Sequence, residues 1–402
     1  MKRILSWITI ILPGIMIPII PGMIEAQPYQ ALEETNHIQQ YIKPEEVMLE
    51  FSMTDSTVTV IAITRDSMMI ACQSLNSLFW KANKAFRSKI KAGDPLGFVI
   101  VGQILYFFLI RPVQHFISGK KRLIIKPGDS LSELPFEVLI QPDDNNSLLS
   151  GVPINYLIRD YEVTYHADQS VLPDVTGEIK ENLPENTMDQ QYAFMGFSPV
   201  FVNHPGLSAL PDSREEIREI GSLFRKKGLT SWLVYEQHSD KERFKSTACM
   251  GRIVHLSTHY LSEPPEIGNG GFLFSGYDPS ISTEGETDGV LTIDEISGLQ
   301  LNADLVVLNA CASGIQKLKS GGSRNSMPMV FLKAGARNIL STLWSVTDRL
   351  AGEFMINFYR IWLSGKTYSQ ALREVKLELI SHPETSLPKI WAPYVLTARR
   401  TK

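Results

Sequence analysis

The second half of the chain alternates short apolar runs with amphipathic stretches of helical length. Ala193–Phe197, Leu233–Tyr235, Ile253–Leu256, Leu305–Leu308 and Asn338–Leu343 read as strands, and Gly271–Phe274 as a further one. Between them, Pro211–Arg225, Lys241–Met250, Leu291–Leu299, Met327–Ala334 and Asp348–Trp362 have helical spacing. Glu215, Glu216 and Glu219 lie near the start of the first helix, where the dipole favours acidic side chains. Repeated strand–helix units with continuous apolar strands predict a mostly parallel sheet covered by helices on both faces.

The first half has a different rhythm. Val47–Phe51 and Val58–Ile63 alternate around the polar Ser52–Thr57, as in a hairpin. Phe79–Ile90 has helical spacing, and Phe98–Ile110 reads as a buried helix ending before Arg111-Pro112. Lys120–Lys126 gives a short strand that turns at Pro127-Gly128. Residues 46–172 therefore form a smaller α+β portion, and residues 191–402 the α/β portion. The proline- and acid-rich stretch Pro173–Gln190 separates them. Ahead of both, residues 1–26 carry two early basic residues and the apolar run Ile4–Ile24, ending near Ala26. That pattern fits a signal peptide or N-terminal anchor, although Pro13, Pro18 and Pro21 would interrupt a regular helix. An extended arm is the competing reading. The location stays open accordingly: cytoplasmic or inner-membrane-associated, with export if the segment is a signal.

A net charge of -4 on 402 residues gives no long-range attraction to nucleic acid. The three cysteines, Cys72, Cys249 and Cys311, form no CxxC pair and no closed disulfide framework. Cys72 and Cys249 are expected to be small packing residues. The His and Cys residues lack the paired spacings of a zinc site, and no phosphate-binding glycine loop or GxSxG motif follows a strand. The reading calls for no metal and no cofactor.

The chemistry concentrates at two strand ends. His259 follows Ile253–Leu256, and Cys311 follows Leu305–Leu308. Open α/β sheets place ligands outside the carboxyl ends of their strands. A histidine and a cysteine delivered there make a nucleophile–base pair, because the imidazole draws the thiol toward thiolate. The competing reading is structural, with His259 bonding a loop and Cys311 packing in the core. His255 lies within the apolar run and is assigned to packing or to orienting the site.

These residues and several further motifs resemble the CHAT domain, a caspase- and separase-like protease domain found in bacteria beside tetratricopeptide repeats. The resemblance spans about Glu46 to Leu396. It rests on Leu123–Asp129, Leu134–Leu139, Tyr156–Ile158, His255–His259, Gly289–Thr292, Leu308–Cys311, Phe331–Ala336, Leu343–Asp348, Phe358-Tyr359 and Trp391–Tyr394. It implies a caspase-like fold over residues 27–402 and a cysteine endopeptidase with His259 as base and Cys311 as nucleophile. The backbone N–H groups of Cys311 and Tyr260 are the candidate oxyanion donors. A basic P1 residue is the expected preference, with Asp278, Asp288 and Asp348 as the candidate specificity carboxylates. The implied partners are a protein or peptide substrate and a separate regulator such as a repeat-containing protein, with membrane association through the N-terminus. The sequence departs from the family pattern at Tyr260, where glycine is usual, at Ala312 and over Ile315–Asn325. The Tyr260 side chain is expected to narrow the cleft or alter the backbone. Those departures leave a non-catalytic caspase-like interaction module as the alternative.

Overall fold

The computed structural model describes residues 38–142, 154–166, 191–201, 207, 210–261, 270–277, 282–283, 286–287, 289–310 and 327–398, together with the backbone of 8–12 and 15–19. In that early backbone, β1 (Ile8–Leu12) pairs antiparallel with β2 (Ile15–Ile19). The chain divides into two compact units, residues 1–164 and 165–402.

In the first unit the predicted hairpin is β3 (Glu46–Met53) and β4 (Thr57–Ile63), in antiparallel register from Met48↔Ile63 to Met53↔Val58. The sequence reading missed the next strand, β5 (Met68–Ser74), which pairs with β4. Only Met68 in it is buried, so it lacks an apolar period strong enough to see. β6 (Arg122–Lys126) runs parallel to β3, and β7 (Glu162–His166) follows it. Arg122 bonds Glu46 at 2.8 Å and Glu162 at 3.0 Å, tying three strands together.

Helix α1 (Ser77–Ala92) is capped by Asn76, whose side chain accepts from the N–H groups of Leu78 and Phe79. It ends at Gly93 with φ 64, a left-handed stop that favours glycine. Helix α2 (Pro95–Leu109) starts on Asp94 and Pro95 and buries Phe98, Val99, Leu105, Tyr106 and Phe108. Leu96, Ile100 and Phe107 on it are exposed. Among the described residues no single helix is long and apolar enough to cross a membrane. Cys72 is half-buried, and Cys249, expected to pack, is exposed. The correction has a local cause: Cys249 lies in a tight 3-10 turn, Ala248–Met250, that turns only Ala248 inward.

The second unit is built on β8 (Tyr192–Ser198), β9 (Ser231–Tyr235), β10 (Gly251–Ser257), β16 (Leu305–Asn309), β17 (Asn338–Thr342) and β18 (Tyr394–Ala398). Their order is β18-β17-β16-β10-β8-β9. All neighbours are parallel except β18, which runs antiparallel to β17 and makes the sheet mixed. One face is covered by α3 (Pro211–Lys226), α7 (Asp348–Trp362) and α8 (Tyr368–Ser381). The sequence reading missed β18 and α8. The other face carries α4 (Lys241–Thr247), α5 (Ile293–Ser297) and α6 (Met327–Lys333).

Strand alternation sorts the side chains between these faces. Ile253, Leu305, Val307 and Leu340 pack with Phe224, Phe358 and Trp362 of the first set, whereas Val254, Leu256, Val306 and Leu308 face the second. Helix α3 lies close to the sheet. A Cβ on Gly196 would meet the Ile217 side chain at 3.0 Å, so glycine is what admits the helix there.

A small antiparallel sheet of β11 (Tyr260–Leu261), β12 (Gly271–Leu273) and β15 (Val290–Thr292) follows β10. β13 (Ser282–Thr283) pairs with β14 (Glu286–Thr287). Leu291 and Thr292, expected to be helical, belong to β15. Helix α5 begins only at Ile293, because Thr292 and Glu295 form a capping box there.

Candidate active site

Parallel register brings the two candidate strand ends side by side. Ser257 of β10 stands opposite Asn309 of β16, and the Thr258 N–H donates to the Asn309 carbonyl at 3.4 Å. Adjacent strands lie about 4.8 Å apart. His259 therefore follows Ser257 by the same two positions as Cys311 follows Asn309. Cys311 itself lies outside the described residues, as do Asp278, Asp288, Ala312 and the Ile315–Asn325 segment.

Each side of this edge is tied down. The Leu273 N–H donates to the His259 carbonyl at 3.0 Å, and Thr258 Oγ1 donates to the Leu273 carbonyl at 2.6 Å. The His259 ring packs against Phe201, with centroids 5.0 Å apart. On the other side, Thr342 Oγ1 of β17 donates to the Ala310 carbonyl at 2.7 Å. His259, Thr258, Ser257, Asn309, Ala310 and Asp348 line one cleft.

Tyr260 does not narrow that cleft. Its ring is 8% exposed, packed edge-on to Phe272 at 5.0 Å and part of the core on the α4–α6 face. Burial pushes its hydroxyl pKa well above the ordinary value. Among the described residues the only non-glycine with positive φ is Glu236, so the backbone at 260 does not require glycine. The expected disturbance by this side chain is thus corrected.

Asp348 is the specificity candidate that the structure describes. It is the first residue of α7, and its Oδ2 accepts from the Asp212 N–H at 2.8 Å, in the first turn of α3. It thus serves two helix N-termini, a favourable place for a carboxylate. Half-burial nevertheless pushes its pKa up to about 6, with repulsion from Glu216 and Asp212 adding to the rise and the Asp212 N–H opposing it.

Beneath the cleft lies a buried polar cluster whose centre is Glu216, which the sequence reading placed only among the acidic residues favoured by the helix dipole. Period two places His255 and Ser257 on the face covered by α3, as it does Asn309. Glu216 on that helix is 1% exposed. Its Oε2 accepts from Ser257 Oγ at 2.7 Å and Asn309 Nδ2 at 3.0 Å, and its Oε1 accepts from the same Nδ2 at 2.8 Å. The fully buried His255 sits deeper, with Nδ1 3.2 Å from the Tyr359 hydroxyl. Burial holds that hydroxyl protonated, and it is the partner of Nδ1 whichever tautomer the imidazole takes. Nε2 is 2.9 Å from Glu216 Oε1 without the alignment of a hydrogen bond, so the two make a close polar contact. A signal for Glu216 existed: with Ser213, Ile217, Ile220 and Phe224 it occupies the buried stripe of α3.

Among the described residues no three His, Cys, Asp or Glu side chains gather as a metal-binding group. Residues 99–399 match the CHAT domain. Human tetratricopeptide repeat protein 28 is 25% identical over 407 aligned positions, covering 87% of this chain and 15% of that protein. The Saccharomyces cerevisiae separase–securin complex at 2.6 Å aligns with 92% of this chain and 31% of that chain, at 11% identity and a TM-score of 0.48. A structure described as a protease aligns with 80% of this chain and 73% of that chain, at 9% identity and a TM-score of 0.43. The chain thus spans only 15% of the human relative's length and 31% of the yeast chain's.

Proposed function

The chain belongs to the CHAT domain family, and from that premise we propose that it is a cysteine endopeptidase working through His259 and Cys311. The observation that supports this reading is the Ser257↔Asn309 register, which ends two neighbouring parallel strands side by side, each two sequence positions before a candidate. The Cys311 thiol gives its proton to His259, and the sulfur attacks the scissile carbonyl carbon. The tetrahedral intermediate collapses to a thioester as His259 passes that proton to the leaving amine. Water, deprotonated by His259, then attacks the thioester, and the proton returns to the sulfur as the carboxylic acid leaves. The backbone N–H groups of Cys311 and Tyr260 are the proposed donors to the transient oxyanion.

Asp348, at the rim of the same cleft, supports a preference for Arg or Lys at P1. The departures at Tyr260, Ala312 and Ile315–Asn325 were the ground for a non-catalytic module; the core packing of the Tyr260 ring weakens the first of them, and the others lie outside the described residues. The repeat-containing human relative supports regulation by a repeat-bearing partner. The reading is tested by profiling cleavage sites in a peptide library with wild type, Cys311→Ala and His259→Ala. Cleavage after basic residues by wild type alone is the expected result. Identical profiles in all three proteins, or labelling by thiol-directed peptide probes at Cys72 or Cys249 but not Cys311, would overturn it.

A further inference from the structure

The reading above uses the two residues that leave the strands but says nothing of what fixes the spacing of the strand ends. Among the described residues, the last register pair along β10 and β16 is Ser257↔Asn309. Beyond it, a loosened edge would let the two loops drift. At that last pair, both facing side chains turn toward α3 and donate to one carboxylate. Ser257 Oγ reaches Glu216 Oε2 at 2.7 Å, and Asn309 Nδ2 reaches Oε1 at 2.8 Å and Oε2 at 3.0 Å.

We infer that Glu216 is a positioning residue for the dyad: one buried carboxylate bridges Ser257, two residues before His259, and Asn309, two residues before Cys311, and so sets the separation of the loops that carry them. Its own position is fixed from behind. Ile217 abuts Gly196 of β8, Ile220 and Phe224 pack in the core, and His255, anchored by Tyr359, closes the far side. A carboxylate suits this task because both of its oxygens accept, whereas an amide offers one acceptor and two donors. Charge-assisted bonds in a buried setting are also shorter and stiffer than neutral ones.

The inference rests on the peptidase reading, and one experiment separates their failures. The rate of Cys311 alkylation by iodoacetamide is measured against pH in the full chain by site-resolved peptide mass spectrometry, with exposed Cys249 as the internal reference. Wild type is compared with Glu216→Gln, which keeps the length but not the charge, and Glu216→Asp, which keeps the charge but shortens the reach. Both folded variants are expected to lose about tenfold or more in Cys311 rate at neutral pH, with the midpoint moving up, because small misplacements cost large factors in reactivity. Cys249 should be unaffected. A wild-type Cys311 profile in both variants, with only a lower Tm, would make Glu216 merely structural and overturn the inference. Loss in Glu216→Gln alone, with Glu216→Asp at the wild-type rate, would mean that the reach of this side chain does not set the separation and would overturn it equally. If either variant fails to fold, Ser257→Ala, which removes one arm of the bridge, is read by the same criteria. Should wild-type Cys311 itself behave like Cys249, the peptidase reading fails first and takes the inference with it.

Discussion

Ser257 and Asn309 face each other across parallel strands β10 and β16, and both side chains donate to the buried carboxylate of Glu216. The contact links three elements that are distant in sequence at the one sheet edge where the candidate chemistry emerges. Backbone register supplies the pairing, and the carboxylate supplies a cross-link where register ends. Breaking a buried network by removing its acceptor leaves donors unsatisfied, so the edge is sensitive to small changes in Glu216.

Asp348 makes stability depend on pH. Its carboxyl is pushed from 3.8 up to about 6 in the folded protein, so the folded state holds its proton more tightly than the unfolded chain does. The contribution is therefore full below the unfolded value and is lost as pH rises through about 6. Asp348→Asn keeps an acceptor for the Asp212 N–H and removes the titration. Allowing for screening at this half-exposed position, the variant should gain about 1 kcal/mol over wild type at neutral pH. The gain should vanish near pH 4, as read by urea unfolding across that range. A constant difference at every pH would contradict the assignment.

Tyr260→Gly restores the residue usual in the family, yet it should not raise activity. The ring fills the core beside Phe272, so its removal should cost roughly 3 kcal/mol or more in stability. Thermal unfolding and the Cys311 alkylation rate together check this. A faster Cys311 with unchanged Tm would mean that the side chain obstructs the site after all.

At the opposite end of β10, Asp304 accepts from Arg252 and, at 2.7 Å, from Arg337, and its carbonyl accepts from Asn338 Nδ2 at 2.8 Å. Arg252 and Asp304 are both buried. Asp304→Ala strands the Arg252 charge and should destabilise by about 3–5 kcal/mol. Because the network lies at the amino ends of β10, β16 and β17, Cys311 reactivity in the folded protein should stay unchanged. Equal losses in stability and in Cys311 rate would contradict this separation.

The central strands of the second unit were legible because they are apolar on both faces and bounded by loops, as Leu305–Asn309 illustrates. Helix α7 was legible from its apolar stripe of Ala351, Phe354, Met355 and Phe358. Strand β5 and helix α8 were not. β5 is mostly half-buried, and α8 buries Lys376 and Ser369 within its packed face, which blurs the amphipathic pattern. At the site, His259 could be read from its place after an apolar run. Glu216 could not be assigned, because a carboxylate in the first turns of a helix is usually a solvated partner of the dipole. Its place on the stripe with Ile217, Ile220 and Phe224 was the available signal, and the approach of α3 over Gly196 shows that this one faces inward.

The most direct test of the account is the pH–rate profile of Cys311 alkylation in wild type beside His259→Ala. A shared proton predicts a wild-type midpoint well below the ordinary thiol value of about 8.5 and a return toward that value without the imidazole. A Cys311 midpoint near the ordinary thiol value in both proteins would contradict it.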